Sequence, residues 1–94
     1  MKYYVYILKS IESDKFYIGQ TQNLQDRIKY HNSGRSNYTK KYIPWVIFAF
    51  KEFSSRSAAM KEETKLKNLK SRKRILEAIV KREYESEGVG GSEK

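Results

Sequence analysis

Residues 3–9, Tyr-Tyr-Val-Tyr-Ile-Leu-Lys, are apolar or aromatic at nearly every position. In an extended strand Tyr4, Tyr6 and Leu8 project to one side, and Tyr3, Val5 and Ile7 to the other. Neither face is polar enough to meet water, so the strand is stable only with a layer packed on each side. That makes it the central strand of a small sheet covered by helices.

The flanking segments supply the rest. Ser10 to Asp14 has turn composition, and Lys15 to Gln20 reads as a second strand that completes a hairpin. Asn23 suits a helix N-cap, with Asp26 in a capping-box-like position, so a helix is expected over about 24–32, ended by Gly34. Residues 33–43 form a polar, basic loop with two tyrosines, and Pro44 opens a third strand over 45–53. Ser54 or Ser55 caps a second helix over about 56–70. Ser71 caps a third, on which Ile75, Leu76, Ile79 and Val80 make an apolar stripe. The expected fold is α/β in the α+β sense: a small three-stranded antiparallel sheet flanked by helices, in the order β-β-α-β-α-α. One domain over 1–84 accounts for it, since 94 residues cannot build two cores. From residue 85 the chain, ESEGVGGSEK, reads as a disordered C-terminal tail.

Charge narrows the function. Twenty Lys and Arg against eleven Asp and Glu give a formal net charge of +9, which suggests a polyanionic partner, nucleic acid first. The absence of cysteine excludes disulfides and thiolate metal sites. No stretch approaches membrane-spanning length, and the oily N-terminal run is too short for a signal-peptide core. A cytoplasmic protein with no membrane partner is expected.

Several polar residues fall where chemistry could use them. Leu24 and Ile28 supply the buried edge of the first helix, and Arg27 and His31 lie within about 60° of that stripe, at the expected border of core and solvent. Gly19 removes a side chain and is expected to let the helix start approach closely. Tyr6 should stand opposite or diagonal to Tyr17 across the hairpin. On the second helix the stripe Ala59, Leu66 and Leu69 also contains Glu62 and Glu63. A carboxylate there must be paired, protonated or bound to a cation, and spacing does not choose between the two. With no cysteine and one histidine, an oxygen-rich divalent site favours Mg²⁺ or Mn²⁺ over zinc.

"YVY" at 4–6, "YIG" at 17–19, then Thr21, Leu24, Arg27 and His31 resemble the GIY-YIG nuclease superfamily. The downstream "YTKKYIPW" and "SSRSAAMKEETKLK" look like its small standalone bacterial branch, and more distantly like the catalytic domain of the excinuclease subunit UvrC. The opening tripeptide departs from the pattern, with Tyr4 for glycine and Val5 for isoleucine, but keeps Tyr6. The resemblance implies phosphodiester hydrolysis with one divalent metal, and a place in DNA repair. It assigns the metal ligand to Glu63 and the catalytic set to Tyr6, Tyr17, Arg27, His31 and Glu63. Arg27 would clamp phosphate oxygens, Tyr6 or His31 would take the proton of an attacking water, and Tyr17 would position water or phosphate.

The basic residues read as a platform for nucleic acid. Lys67, Lys70, Arg72 and Lys73 crowd the junction of the last two helices beside Lys65 and Arg74, while Lys40 and Lys41 sit between Tyr38 and Tyr42. Lysine and arginine neutralise phosphates, and Tyr38 can stack on an unpaired base. The plainer reading is a solvated helix face. A metal-dependent endonuclease acting on DNA, with RNA as the second choice, is the expected function, directed by structure rather than sequence. The competing expectation is a non-catalytic or partner-dependent nucleic-acid-binding module of the same fold. A monomer is expected, with room for a protein partner.

Overall fold

The oily N-terminal run is the middle strand of the sheet. β1 (Tyr3–Ser10) pairs antiparallel with β2 (Phe16–Thr21) on one side and β3 (Trp45–Phe53) on the other, in the order β2-β1-β3. Val5, Tyr6, Ile7 and Leu8 are all buried, as a strand oily on both faces requires. The structure is a computed structural model and describes residues 1–86. The tail expected over 85–94 therefore lies, from residue 87 on, outside the described residues. Helix α1 (Leu24–Asn32) follows β2, a 3-10 turn (Thr39–Tyr42) interrupts the basic loop, and α2 (Arg56–Leu69) and α3 (Arg72–Lys81) close the chain. The order is β-β-α-β-α-α, with the 3-10 turn as an addition.

Each face of the sheet has its own core. Val5, Ile7, Ile18 and Ala49 pack with Ala59 and Leu66 of α2 and Ile75 and Ile79 of α3. Tyr6, Leu8, Trp45 and Ile47 pack with Leu24 and Ile28 of α1 and with Tyr42 and Ile43. β3 serves both cores through its two faces, and its register shifts part-way along. Ile7 pairs with Ala49 but Leu8 with Ile47, leaving Phe48 as an extra residue. That bulge sends Ile47 and Ala49 to opposite faces although they are two positions apart.

Side-chain caps fix the helix starts. Asn23 accepts from the Asp26 N–H at 3.0 Å, Ser55 from Ala58 at 3.2 Å and Ser71 from Arg74 at 3.3 Å. Each is worth about 1 kcal/mol. Lys70, between α2 and α3, adopts the left-handed conformation at φ 52°.

The stripe expected on α3 is narrower than its sequence suggests. Ile75, Ala78 and Ile79 are buried, whereas Leu76 is 37% and Val80 79% exposed. One ridge of the helix meets the sheet, and the neighbouring Leu76–Val80 ridge is rotated away from it. The segment after α3 is tied down. Glu62 accepts from Arg82 Nη1 at 3.0 Å through both oxygens and from the Tyr84 hydroxyl at 2.7 Å. Burial, then that hydrogen bond, pushes the Tyr84 phenol pKa well above its usual value. Glu85 and Phe50 then exchange two backbone hydrogen bonds of 2.8 Å, so Glu85 is a sheet-bound residue.

Candidate active site

Strand register brings the first two tyrosines together. Tyr6 pairs with Gly19 and Leu8 with Tyr17, so Tyr6 and Tyr17 are diagonal neighbours with ring centroids 6.4 Å apart. Gly19 serves a different purpose from the one expected. A Cβ there would lie 2.5 Å from the Tyr6 hydroxyl oxygen and 2.8 Å from Cζ. The missing side chain makes room for the phenol rather than for the start of α1.

His31 is not at the solvent border. It is 2% exposed, because the 3-10 turn folds across the end of α1 and covers it. Two contacts hold that turn and the adjoining strand in place. Trp45 Nε1 donates to the Thr39 carbonyl at 2.8 Å, and the Asn32 side chain bonds both backbone groups of Trp45, at 2.7 and 3.0 Å. Inside the seal, His31 Nε2 is 3.2 Å from the Tyr6 hydroxyl and Nδ1 is 3.0 Å from Thr39 Oγ1. The rings of Tyr17 and Tyr30 stand at 4.8 and 5.3 Å from the imidazole. With Nδ1 protonated and donating to Thr39, Nε2 accepts from the phenol. Thr39 is fully buried and was not singled out by sequence reasoning, since a threonine in a polar loop carries no periodic signal.

The electrostatics favour the neutral form of each partner. Burial lowers the His31 pKa, and the Arg27 cation lowers it further. Burial raises the Tyr6 pKa, the phenol of Tyr17 adds to the rise, and Arg27 pulls it back. Arg27 itself lies over the Tyr30 ring at 5.3 Å, which orients the guanidinium without neutralising it.

Glu63 arrives from the other face of the sheet, on α2. Its Oε1 accepts from Gln20 Nε2 at 3.0 Å and its Oε2 from Lys67 Nζ at 2.8 Å. It is still near enough to Tyr6 to raise the phenol's pKa. β2 connects the two faces, with Gly19 opening onto Tyr6 and Gln20 reaching Glu63. Gln20 also escaped the sequence reading. Glu62, which spacing alone could not separate from Glu63, is engaged by Arg82 and Tyr84 instead.

The five residues do not share one open cleft. The cleft at the end of β2, about 340 Å³, is lined by Gln20, Thr21, Gln22, Asn23 and Arg27, with Tyr3 and Arg56 opposite. Tyr6 and His31 are buried, at 3% and 2% exposed, and do not line it. No group of three or more His, Cys, Asp or Glu side chains is placed to hold a metal among the described residues. Glu63 is a single carboxylate. That donor fits a hard cation that takes its other oxygens from water and phosphate, as Mg²⁺ does, and does not fit zinc.

The basic residues fall into two groups. Lys40 and Lys41 are exposed on the 3-10 turn beside Tyr38, which is 46% exposed and stands 6.2 Å from the Tyr17 ring. Lys70 and Lys73 are exposed at the α2–α3 junction, while Lys67 is paired with Glu63. Arg72 is committed to the hairpin, stacked 4.5 Å from the Phe16 ring and donating to the Asp14 carbonyl. Tyr42, at the end of the 3-10 turn, also meets the hairpin, since Lys15 lies over its ring at 5.6 Å.

Comparison with known proteins gives a consistent picture. Residues 2–76 match the GIY-YIG catalytic domain. A UPF0213 protein of Staphylococcus haemolyticus is 40% identical over 86% of this chain and 98% of its own length. One from Listeria monocytogenes is 37% identical over 92% of this chain and 94% of its own. The solution structure of a UPF0213 protein from Bacillus halodurans superposes with a TM-score of 0.54 at 34% identity, covering 85% of this chain and 84% of that one. No helix among the described residues is long and apolar enough to cross a membrane.

Proposed function

The chain belongs to the GIY-YIG family, and from that membership we propose that it is a divalent-metal-dependent endonuclease acting on DNA, with RNA as the second choice. The observation that carries the reading is the buried Tyr6–His31 hydrogen bond lying in the field of Arg27. Hydrolysis of a phosphodiester needs a deprotonated water and a counter-charge for the phosphoryl oxygens. Arg27 supplies the counter-charge and binds two non-bridging oxygens at once. Tyr6 takes the water proton while passing its own to His31 Nε2. The imidazole is buried with Nε2 on the phenol and Nδ1 on Thr39, so in this reading its proton comes by way of the phenol. Tyr17 packs against both groups and holds their geometry. A Mg²⁺ or Mn²⁺ ion held by Glu63 would neutralise charge on the departing 3′ oxygen.

Tyr38, Lys40, Lys41, Lys67, Lys70, Arg72 and Lys73 are proposed to hold the substrate backbone. The lysines and Arg72 neutralise phosphates without reading bases and Tyr38 stacks on an unpaired base, so recognition follows substrate structure more than sequence. The protein acts in the cytoplasm as a monomer, in DNA repair, with a protein partner as an added requirement if the isolated chain is inert. The test is cleavage of a panel of branched, damaged, single-stranded and duplex DNA and RNA with Mg²⁺ or Mn²⁺, beside Glu63→Ala. Metal-dependent cutting lost in Glu63→Ala supports the enzyme. Binding without cutting hands the site to the non-catalytic module.

A further inference from the structure

Arg27 and Arg56 come from different helices, α1 and the first position of α2, and line the same cleft at the end of β2. Neither guanidinium is in an ion pair with a carboxylate among the described residues. Each instead lies over an aromatic ring, Arg27 on Tyr30 at 5.3 Å and Arg56 on Tyr3 at 5.6 Å. A ring face orients a guanidinium and leaves its edge N–H donors open, so the cation is held but not neutralised. The rest of the lining is Gln20, Thr21, Gln22 and Asn23, which offers amides and a hydroxyl and no acid. Two arginines without a carboxylate partner facing one polar cleft can each hold a phosphate group, since guanidinium geometry suits phosphate oxygens.

We propose that this cleft is a second phosphate subsite, in which Arg56 holds the phosphodiester next to the one gripped by Arg27. The inference rests on the nuclease reading and deepens it, because it makes the substrate a strand with at least one phosphate beyond the scissile one. Arg56 is then a binding residue, separate from the reaction chemistry. It fixes which way the strand runs past Arg27, from the α1 side toward the start of α2.

The first arm of the test uses equilibrium binding of a fluorescent duplex to the full chain in EDTA, where no cutting occurs. Arg56→Gln is compared with wild type and with Lys81→Gln, which removes an exposed cation on α3. Arg56→Gln should weaken binding by about threefold to tenfold and reduce the salt slope by about 0.9, one phosphate contact. Arg56→Lys should restore the slope but only part of the affinity. The second arm titrates inorganic pyrophosphate into isotope-labelled protein and follows Arg Nε signals and the amides of residues 20–23. Saturable shifts confined to these groups support the subsite even if no nucleic acid is bound. An Arg56→Gln salt slope equal to wild type, or pyrophosphate shifts spread evenly over the lysine surface, overturns it. A wild-type chain that binds pyrophosphate here but no oligonucleotide overturns the nuclease reading alone.

Discussion

The Tyr6 hydroxyl and the Nε2 nitrogen of His31 lie 3.2 Å apart in a space where the two side chains are 3% and 2% exposed. Neither group has bulk water as an alternative partner, so each depends on the other. Tyr6→Phe should therefore lower turnover by roughly 10² to 10⁴-fold, the range for losing a positioned proton carrier. It should also lower stability by about 1–3 kcal/mol through the unpaired imidazole nitrogen. Single-turnover cleavage and urea melts check the two effects separately.

The same seal makes the protein acid-sensitive. The His31 pKa in the folded state is below its usual 6.5, so the unfolded chain binds more protons in the window between them. Stability therefore rises with pH through that window and is fully present above about 6.5, then is lost as the pH falls toward the folded value. His31 is the chain's one histidine, so replacing it isolates this contribution. Urea melts at pH 7.5 and 5.5 should show the loss, and His31→Gln should flatten it. Arg27→Gln should move the imidazole titration upward by NMR.

Gly19→Ala tests whether the glycine exists for the phenol. The new methyl would meet the Tyr6 hydroxyl oxygen at 2.5 Å, and that hydroxyl is pinned by His31. A loss of about 1–3 kcal/mol is expected. Adding Tyr6→Phe removes the closest clashing atom, though the Cζ contact at 2.8 Å stays, and frees the ring from His31, so the double variant should be more stable than the sum of the singles implies. Strict additivity in thermal melts would assign Gly19 some other role.

Arg27 is proposed to act on charge that develops in the transition state, unlike the surface lysines. Arg27→Ala should cost roughly a hundredfold in turnover and no more than about tenfold in DNA affinity, the loss of one phosphate contact. Arg27→Lys should recover part of it, having lost the two-pronged grip. Single-turnover rates beside equilibrium binding decide the matter, and equal rates in the alanine variant and wild type would point to a contaminating nuclease.

Lys67 occupies Glu63 Oε2 at 2.8 Å and so competes with any cation for that carboxylate. Lys67→Ala should tighten Mn²⁺ binding about two- to fivefold, the scale of one half-exposed ion pair. Paramagnetic broadening of the Gln20 side-chain amide, which donates to the same carboxylate, reads this without reference to activity.

Much of the scaffold was legible because its signals are local. The two-faced run at 3–9, the caps at Asn23, Ser55 and Ser71 and the proline at 44 placed strands and helices close to their observed bounds. Contacts between distant segments were not legible. Gln20 meets Glu63 across 43 positions, and nothing near either residue announces it. Thr39 reaches His31 only because a 3-10 turn forms, and a polar loop gives no period for such a turn. Burial of His31 was misjudged for the same reason: the helix period locates its own stripe but not the loop that folds over it. Gly19 was found by its position and misread in its purpose, since its neighbour is a residue of the adjacent strand.

The two hydrogen bonds between Phe50 and Glu85 have a meaning for how the molecule behaves among its own copies. β3 is an outermost strand, and an outermost strand that leaves backbone groups unpaired invites another chain to add itself to the sheet. Glu85 occupies one of those positions, and the Glu62–Arg82–Tyr84 contacts keep it there. The residue after Tyr84 thus covers one position of an otherwise open sheet edge, and a chain cut after Tyr84 is expected to leave that position free to pair with another copy.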